Sequence, residues 1–468
     1  MRVQALKNRW FGDRYFYQAV LTIAVPIMIQ SGITTFVNML DNIMVGQVGT
    51  LPMSGVSITN QLIMIFNLAV FGSFNAAGIF GAQFCGKQDD KGVRDCFHFK
   101  LYVVLLLSVA GLGILGLCGR QLIGLYLDPA VNSPADILET LQYARRYMLI
   151  MMIGLPVFTL SQAFSTSIRE TGETIIPMRA SICAVTVNFI GNYTLIFGHF
   201  GMPRLGITGA AVATVISRFV ELSIILTGAI RHRERFAFMH DPLKDLRVPA
   251  PLVKAIILKG APLVVNEVLW STAIAMIAQC YSTRGLNAVA AININQTIQN
   301  VFTITNSAMG NSISIMVGQR LGANEIEEAV DTDRKLIVFS FCLASVMGCL
   351  LFTLAPLFPG LYNTSAEVQA LAGRLLRVTA FSIPLGALYF GSYFTLRSGG
   401  KTVITFLFDS VYSCLVNYPI AFGLSRFTDL PVLYIFIAVV CADIPKAVLG
   451  LFLVHKRVWV QNLVGADN

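Results

Sequence analysis

The chain has 468 residues, of which 55% are hydrophobic and only 13% charged, with a formal net charge of +9. Soluble domains are about one-quarter charged, so this composition excludes an ordinary soluble globular protein. Apolar runs of about 20 residues, the length that takes a helix across a bilayer, recur from end to end. The fold class is therefore an all-α, multispanning membrane protein.

The opening MRVQALKNRWFGDRYF is basic and amphipathic. It lacks the short apolar region and small-residue cleavage site of a secretory signal, so the first span is expected to act as its own targeting signal. Apolar runs set against charged breaks predict twelve spans, at roughly 15–45, 52–82, 99–119, 146–168, 175–198, 206–230, 256–281, 288–318, 336–359, 375–396, 402–424 and 431–455. The second is long enough to be one tilted or extended helix. Cys183, Cys280, Cys342, Cys349, Cys414 and Cys441 lie inside these runs, form no CxxC pair and read as small core hydrophobes. His98, His199, His232, His240 and His455 fall in loops or at span ends, so no histidine relay is expected to cross the membrane.

Sorting the 34 lysines and arginines by loop, with the N-terminus in the cytoplasm, puts about three inside for every one outside. That bias predicts both termini on the cytoplasmic side of a cell membrane. The membrane surface then accounts for the net positive charge, and nucleic acid is not needed to explain it.

An internal repeat is present. A shift of 236 pairs Pro26 with Pro262, Gly49 with Gly285, Gln83 with Gln319 and Gly86 with Gly322, so GAQFCGKQD aligns with VGQRLGANE. A shift of 228 pairs Pro156 with Pro384, Arg169 with Arg397 and Thr174 with Thr402. Six spans per copy make the copies parallel repeats, the arrangement of alternating-access transporters with substrate between the halves. The expected organisation is a first lobe over 1–230, a charged cytoplasmic linker over 231–251 and a second lobe over 252–468.

The segments VPIMIQS, LDNIMVGQVG, GAQFCGK, VNFIGNYTLIFGHFGMPRLGITGAAVAT, GAPLVVNEVLW and VGQRLGANEIEEA, in this order, resemble the multidrug and toxic compound extrusion family over the whole chain. The resemblance implies a V-shaped pair of six-helix lobes that exchange sodium ions or protons for bulky, often cationic, amphipathic compounds.

Five carboxylates fall inside spans, where a charge costs at least a few kcal/mol and marks a functional candidate. Asp41 is the one charged residue between Arg14 and Lys87 and has no local ion pair. The resemblance makes it the cation site of the first lobe, supported by Asn188 and Asn192 on the fifth helix and by Ala210 and Thr214 on the sixth. Many members carry an aspartate where this chain has Asn192, so a sodium cage is short of charge here and the proton is the expected coupling ion, with sodium the alternative.

Glu267 lies five residues after Pro262, whereas Asp41 lies fifteen after Pro26, so the two acids differ in depth by about 15 Å. The resemblance assigns a seventh-helix glutamate near Glu267, flanked by Asn266 and Trp270, to a second-lobe cation or substrate site. Asp409 has no basic residue nearby on its own span, and both a functional and a structural role stay open for it. Glu221 with Arg218, and Asp443 with Lys446, are each three apart and read as structural pairs on one helix face. Pro26 and Pro262 favour kinks, and the resemblance makes the first a bend point linked to Asp41.

These readings converge on a monomeric antiporter in the lipid bilayer that exports amphipathic, often cationic, drugs or metabolites and needs no cofactor. The alternative is a flippase for a lipid-linked saccharide. No HExxH, GxSxG or cysteine-histidine pair at membrane depth points to an enzyme.

Overall fold

A computed structural model describes residues 10–127, 133–240, 246–362 and 364–465. The basic opening up to Arg9 and residues 241–245 of the expected linker lie outside the described residues. Every regular element described is helical. The long helices are α1 Arg14–Gly46, α2 Thr50–Lys87, α3 Asp90–Gly124, α4 Pro134–Glu170, α5 Ile175–Phe197, α6 Ile207–Arg231, α7 Ala250–Ser282, α8 Leu286–Gly322, α9 Ile326–Leu354, α10 Ala366–Ser398, α11 Thr402–Phe427 and α12 Val432–His455. By length and composition, 10 of them are long and apolar enough to cross a membrane. Helices suit that setting because each satisfies its own backbone polar groups where no water can.

The repeat is visible in the elements. Helices α1 and α7 each have 33 residues and run through an internal proline, Pro26 and Pro262. Helices α4 and α10 both start at serine caps. Ser133 accepts a hydrogen bond from Asp136 N and Ser365 one from Val368 N, which satisfies an otherwise orphaned first-turn N–H. Both then run through a proline, Pro156 and Pro384.

The chain packs as two compact units: one of Ile29–Gly81 with Asp90–Lys254, the other of Met1–Met28, Ala82–Asp89 and Ala255–Asn468. The division runs through α1 just beyond Pro26 and through α2 near its end. In the first unit Met44, Val45, Val56, Tyr147, Leu155, Ile196 and Ile207 form the core. In the second, α10 packs on α8, α9 and α12. Val20 and Ala24 from the start of α1 are buried there against Met309, Ile313 and Val317.

Two features explain particular residues. Within the first unit Lys100 is fully buried and donates to Glu170 at 2.6 Å and to Ser167 at 2.9 Å. The Glu170 carboxylate lies so close to α2 that a Cβ at Gly81 would overlap it. Within the second unit the end of α2 crosses the end of α8 on the repeat-equivalent glycines. A Cβ at Gly86 would overlap the Gln319 carbonyl, and one at Gly322 the Gln83 carbonyl. The C-terminal segment then clasps α2: Leu463 N donates to Gln83 Oε1 at 2.7 Å and Lys87 Nζ to the Val464 carbonyl at 2.7 Å.

The cysteines depart in part from the expectation of core hydrophobes. Cys280 is buried, but Cys183, Cys342, Cys349 and Cys441 lie on exposed helix faces. Such faces are the ones a spanning helix turns to lipid.

The glycine crossing yields a stability test. Gly322→Leu should lower the melting temperature, since overpacking costs about 1–3 kcal/mol and here meets backbone. Gly113→Ala, with nothing within 4 Å of its Cβ, should leave it unchanged or slightly higher.

Candidate functional site: two intramembrane carboxylate clusters

In α1, Gln30 and Asp41 are eleven residues apart, three helical turns, and so share one face. In α5, Ser181 and Asn188 repeat at seven residues and Asn192 follows four later, again on one face. Thr214 and Glu221 repeat at seven on α6. Packed together within the first unit, the three helices make a polar stripe inside an otherwise apolar core.

Asp41 occupies one end of this stripe. Asn192, 1% exposed, donates from Nδ2 to Asp41 Oδ1 at 2.7 Å. The Asn188 amide admits two orientations. With its nitrogen toward Asp41 it donates to Oδ2 at 2.8 Å and accepts from Thr214 Oγ1 at 3.1 Å. Turned over, it donates to Thr214 Oγ1 at 3.1 Å and presents its carbonyl to Asp41. Thr214 Oγ1 also donates to the Ala210 carbonyl at 2.9 Å. Asp41, Asn188, Asn192, Ala210 and Thr214 are thus brought together.

At the other end, Arg169 donates to Gln30 Oε1 at 2.6 Å, Gln30 Nε2 to Ser181 Oγ at 2.8 Å, and Ser181 Oγ to Glu221 Oε1 at 3.1 Å. The expected Arg218–Glu221 pair is corrected here. Among the described residues no ion pair joins them, and the Arg218 guanidinium lies over the Phe158 ring, 4.9 Å from its centroid. A three-residue spacing offers neighbouring faces, and each side chain found a nearer partner on another helix. Gln30 and Ser181 are not singled out from sequence, although the spacings of eleven and seven are the signal that selects them, and Arg169 enters there only as the repeat partner of Arg397.

The second cluster lies within the second unit. Helix α11 widens into π-helical turns at Leu407–Val411 and Ser413–Asn417, a distortion frequent at functional sites. Asp409 sits in the first. Its Oδ1 accepts from Lys446 Nζ of α12 at 2.7 Å and its Oδ2 from Asn266 Nδ2 of α7 at 3.1 Å. Ser410 donates to Asn266 Oδ1 at 2.6 Å, which fixes that amide. Asp443 accepts from Asn417 at 2.9 Å. The expected Asp443–Lys446 pair is therefore corrected: the ammonium bonds to Asp409, a partner on another helix that no spacing along α12 reveals.

The other expected residues stand apart. Glu267 is half-buried and Trp270 is 40% exposed, and among the described residues no hydrogen bond ties either to Asp409. Pro26 and Pro262 lie inside unbroken helices.

The Asp41 contacts give a test by double-mutant cycle. Asn192→Leu removes a donor to a half-buried carboxylate and should cost about 1–3 kcal/mol in thermal unfolding of the purified protein. In an Asp41→Asn background the same change should cost clearly less, because the two residues act on one interaction.

The MatE family model matches residues 26–194 and 262–422, one copy in each half. The chain is 23% identical over 451 residues to a probable multidrug resistance protein NorM of Thermotoga maritima, covering 95% of this chain and 93% of that one. It is 23% identical over 453 residues to a probable multidrug resistance protein YoeA of Bacillus subtilis, covering 96% and 95%. Among solved structures, an outward-facing multidrug resistance MATE family transporter of the MOP superfamily superposes with a TM-score of 0.85 at 18% identity, covering 96% and 97%. The Vibrio cholerae MATE transporter VcmN gives 0.84 at 17%, covering 96% and 98%. The likeness establishes the twelve-helix fold.

Proposed function

The chain belongs to the MatE family, and we propose that it is a proton-coupled antiporter that exports amphipathic, often cationic, drugs or metabolites by alternating access. On this reading it works as a monomer in the plasma membrane, with both termini cytoplasmic and lobes over 1–230 and 252–468. Asp41 is its coupling carboxylate. Asn266, Glu267, Trp270 and Asp409 serve substrate or cation in the second half, and Pro26 and Pro262 are its hinge points.

The observation that carries the proton assignment is the shell around Asp41: both carboxylate oxygens can be met by amide N–H groups, and among the described residues no second carboxylate joins this shell. N–H donors stabilise an anion and compete with a metal ion for its lone pairs. A proton asks less of the site. When Asp41 is ionised, Asn188 turns its nitrogen toward it and Thr214 donates to Asn188 Oδ1. When Asp41 Oδ2 is protonated it becomes a donor, Asn188 presents its carbonyl, and its nitrogen donates to Thr214, whose hydroxyl passes to the Ala210 carbonyl. Each state satisfies Asp41, the Asn188 amide and the Thr214 hydroxyl, so one amide reversal accompanies each proton. Such binding drives transport only through its different affinity for the two access states.

A sodium-coupled reading draws on one feature. Asn192 Oδ1 is buried without a hydrogen-bond partner, and with Asp41, a reversed Asn188 and Thr214 it is an oxygen a hard cation would use. The flippase reading finds less support, since lipid-linked pyrophosphates call for a basic surface and the intramembrane groups here are mostly acidic.

The deciding experiment is export from proteoliposomes under separately imposed gradients. Wild type should export under a pH gradient without sodium, and Asp41→Asn should reconstitute normally yet show no gradient-driven export. Export that needs sodium and ignores the pH gradient would overturn the proton assignment. Unimpaired export by Asp41→Asn would remove Asp41 from the mechanism.

A further inference from the structure

The coupling scheme leaves Lys446 unused, and its surroundings are those of a bound ligand cation. The side chain is 4% exposed and its ammonium bonds to Asp409 Oδ1 at 2.7 Å. Two aromatic faces flank it, with ring centroids 4.9 Å away for Tyr389 and 5.7 Å for Phe408. A carboxylate beside aromatic faces is the chemistry that recognises organic ammonium ions, since ring quadrupoles attract a cation without needing its N–H groups. Four helices contribute: Tyr389 from α10, Phe408 and Asp409 from α11, Lys446 from α12 and Asn266 from α7. Asn266, held by Ser410, occupies Asp409 Oδ2 and leaves Oδ1 for the cation.

We propose that Tyr389, Phe408 and Asp409 form an ammonium-binding cage that the protein fills with its own Lys446, and that cationic substrates engage the second half only by displacing that side chain. The proposal deepens the export reading and rests on it for the meaning of the displacement. Lys446 then sets selectivity by charge. A quaternary or tertiary amine competes with it for Asp409 and both rings, whereas a neutral compound gains nothing by displacing it and would leave two buried charges unpaired.

The test is binding of radiolabelled tetramethylammonium to the purified full-length protein in lipid nanodiscs. Lys446→Ala vacates the cage and should bind the ion at least tenfold more tightly than wild type, and Lys446→Ala with Asp409→Asn should lose that gain. A folded Lys446→Ala with no gain, or a gain that survives Asp409→Asn, overturns the cage. Where Lys446→Ala does not fold, Lys446→Met keeps the stem and removes the ammonium. Its export of tetraphenylphosphonium should rise severalfold relative to a neutral substrate, and an unchanged ratio overturns the proposal. Binding is read without any gradient, so a failure of gradient-driven export with binding intact counts against the export reading and not against the cage.

Discussion

The constraint on which this structure depends is that a charge inside a bilayer must be matched by a partner where water cannot supply one. An uncompensated ion there costs at least a few kcal/mol, and the chain answers in three ways. At the ends of two spans Lys100 and Glu170 neutralise one another in a buried ion pair. Asp409 and Lys446 do the same across two helices, with Asn266 completing the carboxylate. Asp41 differs, because its partners are neutral carboxamides. An ion pair holds a fixed charge state, whereas a neutral shell that can reverse its donors and acceptors accommodates two. That contrast separates the ion pairs that hold the helices together from the carboxylate on which the proposed proton exchange rests.

On the proposed reading, the position of Asp41 gives this contrast mechanical reach. Helix α1 belongs to one packing unit up to Met28 and to the other from Ile29, and the change falls two residues beyond Pro26. Proline removes a backbone hydrogen bond and makes bending cheaper at that point. The acid therefore sits on the segment beyond a weakened point in a helix shared by both units.

Much of this was legible in the sequence, for definite reasons. Spans are readable because apolar length is decisive in lipid. The repeat is readable because Pro26 and Pro262, Gln83 and Gln319, and Gly86 and Gly322 keep their register, and the two glycines prove to be the points where α2 and α8 touch backbone to backbone. Asp41 stands out because nothing charged surrounds it. Cross-helix partners are another matter. Asp443 lies three residues from Lys446 and looks like its partner, yet Asp409, which sits in a π-helical turn of α11, holds the ammonium. No proline or glycine in FLFDSVYSC announces those turns. The aromatic faces around Lys446 come from helices whose rotation only packing decides.

The most direct measurement of the central claim, that one proton at Asp41 is exchanged for substrate, is proton release. Purified protein in weakly buffered detergent solution near neutral pH is mixed with a cationic substrate while pH is recorded, and the Asp41→Asn protein is treated alike. Wild type should release protons to an extent that saturates with substrate, and Asp41→Asn should release none. Equal release by both proteins, or none from a wild type that demonstrably binds the substrate, would contradict it.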